Sequence, residues 1–262
     1  MNDVALAIAV AAEGAAVVRY RFGTNLQRLD KGAGDFATNA DVEAENAMLV
    51  LLRRERPNDA ILGEETGLSR SGSYSRTWLI DPLCGTLNYA VKMRVAGVNV
   101  ALSVEGEFVT AAVADPFNDE IFWTDGESGF LRVDDRDSPL VPDGKSKLVD
   151  MNFDPPFSNA PAFKAAKLAA DSEFAAMFRP RVVSTTIALT WVASGQRAAY
   201  ITDGDMRNSV HFAAGLAICA GAGCVVTDLL GNACGNGPTG LLVAADSETH
   251  DALLRLVRKY LV

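Results

Sequence analysis

The chain has 262 residues, 49% of them hydrophobic and 22% charged, enough for one large globular unit or two closely packed halves with a sizeable core. This composition excludes a disordered or low-complexity protein. Acidic residues outnumber basic ones 33 to 24, for a formal charge of −9, and no basic run exceeds Arg53–Arg54, which argues against nucleic acid as a main partner.

The N-terminal stretch "MNDVALAIAVAAEGAAVVRY" is interrupted by Asp3, Glu13 and Arg19. Its uncharged run from Val4 to Ala12 falls far short of the about 20 residues that span a bilayer, and no basic region precedes it. It therefore reads as an alanine-rich packing helix in a cytoplasmic protein that does not enter a membrane. The cysteines, Cys84, Cys219, Cys224 and Cys234, form no C-x-x-C pair and are too sparse for a disulfide scaffold.

The segment "KGAGDFATNADVEAENAMLVLLRRERP" ends its polar part at Asp41, a candidate N-cap. The helix that follows carries Glu43 and Glu45 in its first turn and closes before Pro57. In "DAILGEETG" a short apolar strand stops at a glycine and two carboxylates, Glu64 and Glu65. "LSRSGSYSR" is a polar loop. "WLIDPLCGTLNY" then reads as a buried strand, anchored by Trp78, that runs into a tight turn carrying Asp81, Cys84 and Thr86 within six residues.

Two alternating apolar stretches, "VAGVNVALSVEGEFVTAAVADP" and "DEIFWTDGESGFLRV", are punctuated by turns as in an antiparallel meander. Residues 134–161, with five prolines, are the least periodic part of the chain and mark a boundary between halves at 1–146 and 147–262. Helical segments alternating with short β-branched runs follow it and indicate a layered α/β half. His250, Cys219, Cys224 and Cys234 sit in helix and loop segments where structural roles are expected.

Glu64, Glu65 and Asp81 each follow a short apolar strand, and strand ends are where α/β proteins place polar site residues. Carboxylates gathered without matching cations point to a hard divalent ion, Mg²⁺ or Mn²⁺, held by oxygens. In "DPLCGT" Pro82 sets the turn, Gly85 permits close backbone approach, and the Leu83 carbonyl and Thr86 hydroxyl can point with Asp81. Taken singly, "GEE" also fits a solvated loop and "DPLCGT" an ordinary turn.

"GEE" at 63–65 followed by "WLIDPLCGTLNY" from Trp78, fifteen residues after Gly63, resembles the inositol monophosphatase family, with its G-E-E and W-x-x-D-P-[IL]-D-G-T-x-N-[FY]. "TNAD" at 38–41 is similar to its T-x-x-D, and "AVADPFNDEIFWTDGESG" to its V-x-x-P-x-x-x-E segment. "STTIALTWVASGQRAAY", "VHFAAG" and "GAGCVVTD" resemble its C-terminal motifs, so the likeness covers nearly the whole chain. It implies an α-β-α-β-α layered sandwich, a homodimer, and a metal-dependent phosphatase acting on a small phosphorylated metabolite. Residue by residue, it assigns Glu64, Asp81 and the Leu83 carbonyl to a first Mg²⁺. Thr86 and Asp41 match the pair that orients and deprotonates water, the amides of Gly85 and Thr86 the phosphate cradle, and Lys31 the family's loop lysine.

This chain departs from the family where the second metal binds. Cys84 and His211 replace two aspartates that join Asp81 there. Val210 replaces the tryptophan before the second of these, and Gly221 a glutamate further on. The acid after the family's A-Y is displaced toward Thr202, Asp203 and Asp205, which leaves Asp203 and Asp205 as substrate-binding candidates. Four readings of Cys84 and His211 stand open. They rebuild the site with Asp81 for a softer ion such as Zn²⁺; His211 protonates the leaving oxygen in place of the ion; Cys84 is a nucleophile activated by His211; or metal binding is lost and the chain is a non-hydrolytic binding or assembly protein. Free amides at the helix start after His211 would favour an anionic ligand and lower the His211 pKa.

Overall fold

Each long central strand buries both of its faces, and the two faces of one strand enter different cores. The computed structural model describes residues 1–32, 35–69, 75–153, 163–206, 209–234 and 239–261. Helix α1 (Asp3–Arg21) is capped by the Asn2 side chain, and strands β1 (Arg28–Gly32) and β2 (Asp35–Thr38) form a small antiparallel hairpin of their own. After α2 (Asn39–Glu55) come β3 (Ala60–Gly63), β4 (Gly67–Leu68), β5 (Arg76–Cys84), the short α3 (Thr86–Ala90), β6 (Gly97–Val104), β7 (Glu107–Asp115), β8 (Glu120–Thr124), β9 (Gly129–Val133) and β10 (Arg136–Pro139). These strands make one sheet in the order β10-β9-β8-β7-β6-β5-β3-β4. From β5 to β10 it is the expected antiparallel meander, and β3 joins parallel to β5.

The second sheet has the order β12-β11-β13-β15-β14. It is built from β11 (Leu148–Met151), β12 (Arg179–Val182), β13 (Ala199–Thr202), β14 (Val225–Thr227) and β15 (Leu241–Ala244), with α4 (Ala165–Ala169), α5 (Ser172–Met177), α6 (Ile187–Ala193), α7 (Ala213–Gly221) and α8 (Ser247–Val257) between and after them.

Side chains of a strand alternate between faces, and the cores follow that rule. Trp78 and Ile80 of β5, Val98, Val100 and Leu102 of β6, and Ala112 and Ala114 of β7 pack against α1 and α2. Their neighbours Leu79, Ala101, Ala111 and Val113 face the opposite way, onto Ile187, Leu189 and Val192 of α6 and Ala213, Ala214 and Ile218 of α7. The same middle layer receives Tyr200, Leu241 and Val243 of the second sheet, while Ile201, Leu242 and Ala244 point outward to Leu168, Phe174, Leu253 and Leu256 of α4, α5 and α8. The result is the α-β-α-β-α sandwich, its middle helices buried between two sheets.

Trp78 is fully buried and its Nε1 donates to Asp59 at 2.9 Å, which anchors β5 as expected. Asp41 is not the N-cap of α2. That position is Thr38, whose hydroxyl accepts from the Ala40 amide, and Asp41 at N3 reaches back to the Thr38 amide to complete a capping box. Glu43 and Glu45 accordingly lie beyond the first turn. The core of the polar loop, 70–74, and residues 154–161 of the boundary segment lie outside the described residues. Among the described residues no helix is long and apolar enough to cross a membrane.

Candidate active site

The turn after β5 is shaped by its pairing with β6. Asp81 lies opposite Asn99 and Cys84 opposite Gly97, so the register shifts between the two pairs. Leu83 turns into the core beside Trp78 and Ile80 while its amide donates to Asp81 Oδ1 at 3.0 Å. Gly85 follows at φ 108° and ψ 35°. A Cβ there would stand 2.9 Å from the Val95 carbonyl oxygen, so the turn demands glycine. No side chain caps α3, which leaves its first amides, the cradle expected at Gly85 and Thr86, to an anion or to water.

Asp41 is wholly buried. Its Oδ2 accepts from the amide and hydroxyl of Thr38, at 2.8 and 2.5 Å, and its Oδ1 accepts from the Thr86 hydroxyl at 2.9 Å. Burial pushes its carboxyl up to about 6 against the lowering effect of these hydrogen bonds. The Thr86 hydroxyl also lies 3.0 Å from the Leu83 carbonyl oxygen, so the base and the carbonyl converge as alternative acceptors on its one proton.

Beside these groups stand Glu64 and Asp81. Burial, and then the charge of Asp81, push the Glu64 carboxyl well up, and a hydrogen bond joins the two groups. Asp81 has no solvent exposure. Burial alone would raise it too, but His211, with Nδ1 2.8 Å from Asp81 Oδ2, outweighs that and holds Asp81 as carboxylate. Desolvation works against the His211 cation, yet the Asp81 and Cys84 hydrogen bonds and the Asp81 charge push its pKa well up. The lowering expected from the helix start after it is therefore reversed: a full charge in contact outweighs the partial charge of a helix end.

Cys84 is nearly buried, and burial together with the Asp81 charge pushes its thiol up. In the metal-free protein it is a neutral thiol, the wrong state for a nucleophile. Its sulfur accepts from the Thr186 amide at 3.2 Å, and its carbonyl from the Thr185 hydroxyl at 2.9 Å. The Asp81, Cys84 and His211 donor atoms all lie within 4.8 Å of one another.

The β1–β2 hairpin brings Lys31 onto the carboxylates. Its Nζ lies 2.8 Å from Glu64 Oε1 and 2.7 Å from Glu65 Oε1. Burial would lower the ammonium pKa, but Glu64 and Glu65 push it up instead. Because Lys31 holds an oxygen that a divalent ion would share, Lys31→Gln is expected to tighten Mg²⁺ binding about tenfold or more. Calorimetric titration checks this, and an unchanged affinity would show that the ammonium leaves at no cost.

Asp41, Glu64, Asp81, Leu83, Cys84, Gly85, Thr86, His211 and Lys31 thus come together. The Asp203 carboxylate accepts from the Phe163 amide at 3.0 Å and the Gly204 amide at 2.8 Å. Asp205 is half-buried in the turn that follows. The sequence reading missed Glu45, a buried carboxylate that accepts from the amides of Glu65 and Thr66, each at 2.8 Å, and so shapes the "GEE" turn. A signal existed, since Glu45 lies four residues after Asp41 on the same helix face. It also missed Asn99, whose Nδ2 donates to Thr186 Oγ1 at 2.9 Å and to Asp81 Oδ2 at 3.3 Å.

Two carboxylates pressed together, with a carbonyl and a hydroxyl alongside, are a donor set suited to a hard divalent cation. Comparison with known proteins bears on the same arrangement. The inositol-1-monophosphatase of Caulobacter vibrioides is 41% identical over 115 residues, 43% of this chain and 45% of that protein, so the chain spans about half the length of that relative. The inositol-1-monophosphatase of Mycobacterium leprae is 31% identical over 97% of this chain and 93% of its own length. The solved Thermotoga maritima IMPase shares the fold at a TM-score of 0.82 and 20% identity, covering 99% of this chain and 98% of its own. A family model described as the inositol monophosphatase family matches residues 2–261, and the chain belongs to that family.

Proposed function

We propose that this chain hydrolyses a small phosphomonoester with one Mg²⁺ at an all-oxygen site. The observation that carries the reading is the Thr86 hydroxyl placed between Asp41 and the Leu83 carbonyl, beside Glu64 and Asp81. Glu64, Asp81 and the Leu83 carbonyl would hold the ion, which supplies an activated water and neutralises phosphoryl charge. Thr38 occupies Asp41 Oδ2, so Oδ1 is left to draw the Thr86 proton. The Thr86 oxygen then faces the water as an acceptor, and a carboxylate of pKa about 6 is ionised at neutral pH and close enough to it for efficient proton transfer. The α3 amides receive the phosphate oxygens. In the cation-free protein the positive charge at the altered position is the His211 imidazolium, held by Asp81.

A non-hydrolytic binding protein is the second reading. What favours it is that Lys31 satisfies Glu64 and Glu65 while His211 satisfies Asp81, so these carboxylates have cationic partners without any metal. Phosphate release from a panel of small phosphomonoesters with Mg²⁺ separates the two, with Glu64→Gln as control. Turnover lost by a hundredfold or more in Glu64→Gln is the expected result, and silence of the natural chain across the panel would leave the binding reading.

The family likeness also suggests a homodimer. Leu87, Val91 and Met93, on and after α3, are exposed apolar side chains that a second copy could cover.

A further inference from the structure

We propose that Asp81, Cys84 and His211 form a site for a thiophilic divalent cation of the Zn²⁺ class, distinct in donor chemistry from the all-oxygen site at Glu64. The inference rests on the hydrolase reading for the purpose of the ion but not for its binding.

The geometry comes first. One carboxylate oxygen, one sulfur and one ring nitrogen lie within 4.8 Å of one another. Zn²⁺ holds sulfur at about 2.3 Å and nitrogen or oxygen at about 2.0–2.2 Å, so donors around one ion stand roughly 3.2–3.7 Å apart in a tetrahedron. The Asp81–His211 pair, at 2.8 Å, needs only a small opening to admit an ion between its atoms. The three donors come from β5 and from the turn before α7, elements packed across the buried middle layer, so the site is held from two sides.

The surrounding groups orient these donors. The Thr186 amide points at the sulfur from 3.2 Å. Leu83 N fixes Asp81 Oδ1 and Asn99 Nδ2 approaches Oδ2. Such outer partners set ligand direction in metal sites. Asp81 is fully buried while the His211 side chain remains 33% exposed, which leaves one side open. Three protein donors and an open fourth position are the pattern of a catalytic zinc site. Mg²⁺ is a poor occupant, because it prefers six oxygens in near-ideal octahedral array and gives up its water reluctantly. The family site has been divided into a hard position at Glu64 and a soft one at Cys84, with Asp81 between them.

The test uses the full chain, stripped of metal with a chelator and titrated with Co²⁺ as a spectroscopic stand-in for Zn²⁺. One equivalent is expected to produce a sulfur-to-cobalt charge-transfer band that Zn²⁺ abolishes and excess Mg²⁺ does not. The band should vanish in Cys84→Ser, with Zn²⁺ affinity down at least about 100-fold. It should weaken and shift in His211→Asn, which keeps the sulfur and guards against a Cys84 variant that fails to fold. No band in the natural chain, or a band that persists unchanged in Cys84→Ser and so belongs to Cys219, Cys224 or Cys234, overturns the proposal. Phosphate release is scored separately. A chain that binds Co²⁺ through Cys84 without hydrolysis sinks the hydrolase and leaves the site standing, and the converse result does the reverse.

Discussion

Asp41→Asn is expected to lose turnover by about 10²- to 10⁴-fold while making the folded protein more stable at neutral pH. Both effects have one cause. Asp41 is a buried carboxylate whose pKa rises from 3.8 to about 6 on folding. An acid with a raised folded pKa binds more protons when folded, so stability is highest below the unfolded value. It falls as pH climbs through the window from 3.8 to about 6 and is flat above it. A shift of this size corresponds to roughly 3 kcal/mol at neutral pH. Asparagine removes that cost while keeping the contacts. Its oxygen can accept from the Thr38 amide and hydroxyl, and its NH₂ can donate to Thr86, which still reaches the Leu83 carbonyl. Calorimetric melting in chelator at pH 4.5 and 7.5 should show a Tm gain at the higher pH that shrinks at the lower. If the variant turns over within tenfold of the natural chain, Asp41 is not the base. If Tm does not rise at pH 7.5, burial is not what sets its pKa.

The second large effect is expected from restoring oxygen donors with Cys84→Asp and His211→Asp together. Removing His211 takes the cation from Oδ2 of a wholly buried Asp81, and two new carboxylates join Glu64 beside it. Breaking one side of a buried pair costs about 3–5 kcal/mol, and because a third of the His211 side chain is exposed the lower end applies. The metal-free double variant should therefore melt well below the natural chain at pH 7.5. Mg²⁺ should then recover much of the loss, since an ion at a hundred times its Kd stabilises by about 2.7 kcal/mol per site. The natural chain, whose imidazolium occupies that position, should show the smaller Mg²⁺-induced rise. Equal rises in the two proteins would mean that Cys84 and His211 do not govern hard-ion binding.

The reasons for these effects were legible in the sequence to different degrees. Glu64 and Asp81 end short apolar strands and Thr86 lies on the turn after one, so local pattern located them, while Asp41 was placed with them by the family resemblance of its motif. The partners that set their chemistry are distant in the chain. Asn99 meets Asp81 only because the β5–β6 register pairs them, and it meets Thr186 across 87 residues. The family motifs placed His211 beside Asp81, but its pKa was read from its own helix start, while the decisive charge lies 130 residues away on Asp81. Thr38 was missed as a cap because Asp41 offered an equally good local signal. Asp203 accepts from the backbone amides of Phe163, 40 residues away, and Gly204, contacts that local pattern does not reveal.

The register shift after Asp81 has a consequence of counting. Along an undisturbed strand, residues three apart look in opposite directions. Asp81 and Cys84 are three apart, yet they share one site, because three steps along β5 are matched by two along β6. Leu83 registers the same change of parity: it enters the core of the even-numbered Trp78 and Ile80, on the side that Leu79 avoids. Laid out along β5 without that shift, the same three-residue spacing would send the thiol position through the sheet toward α1 and α2. The chemistry of this centre thus depends on the extra residue between Asp81 and Cys84 as much as on which residues they are.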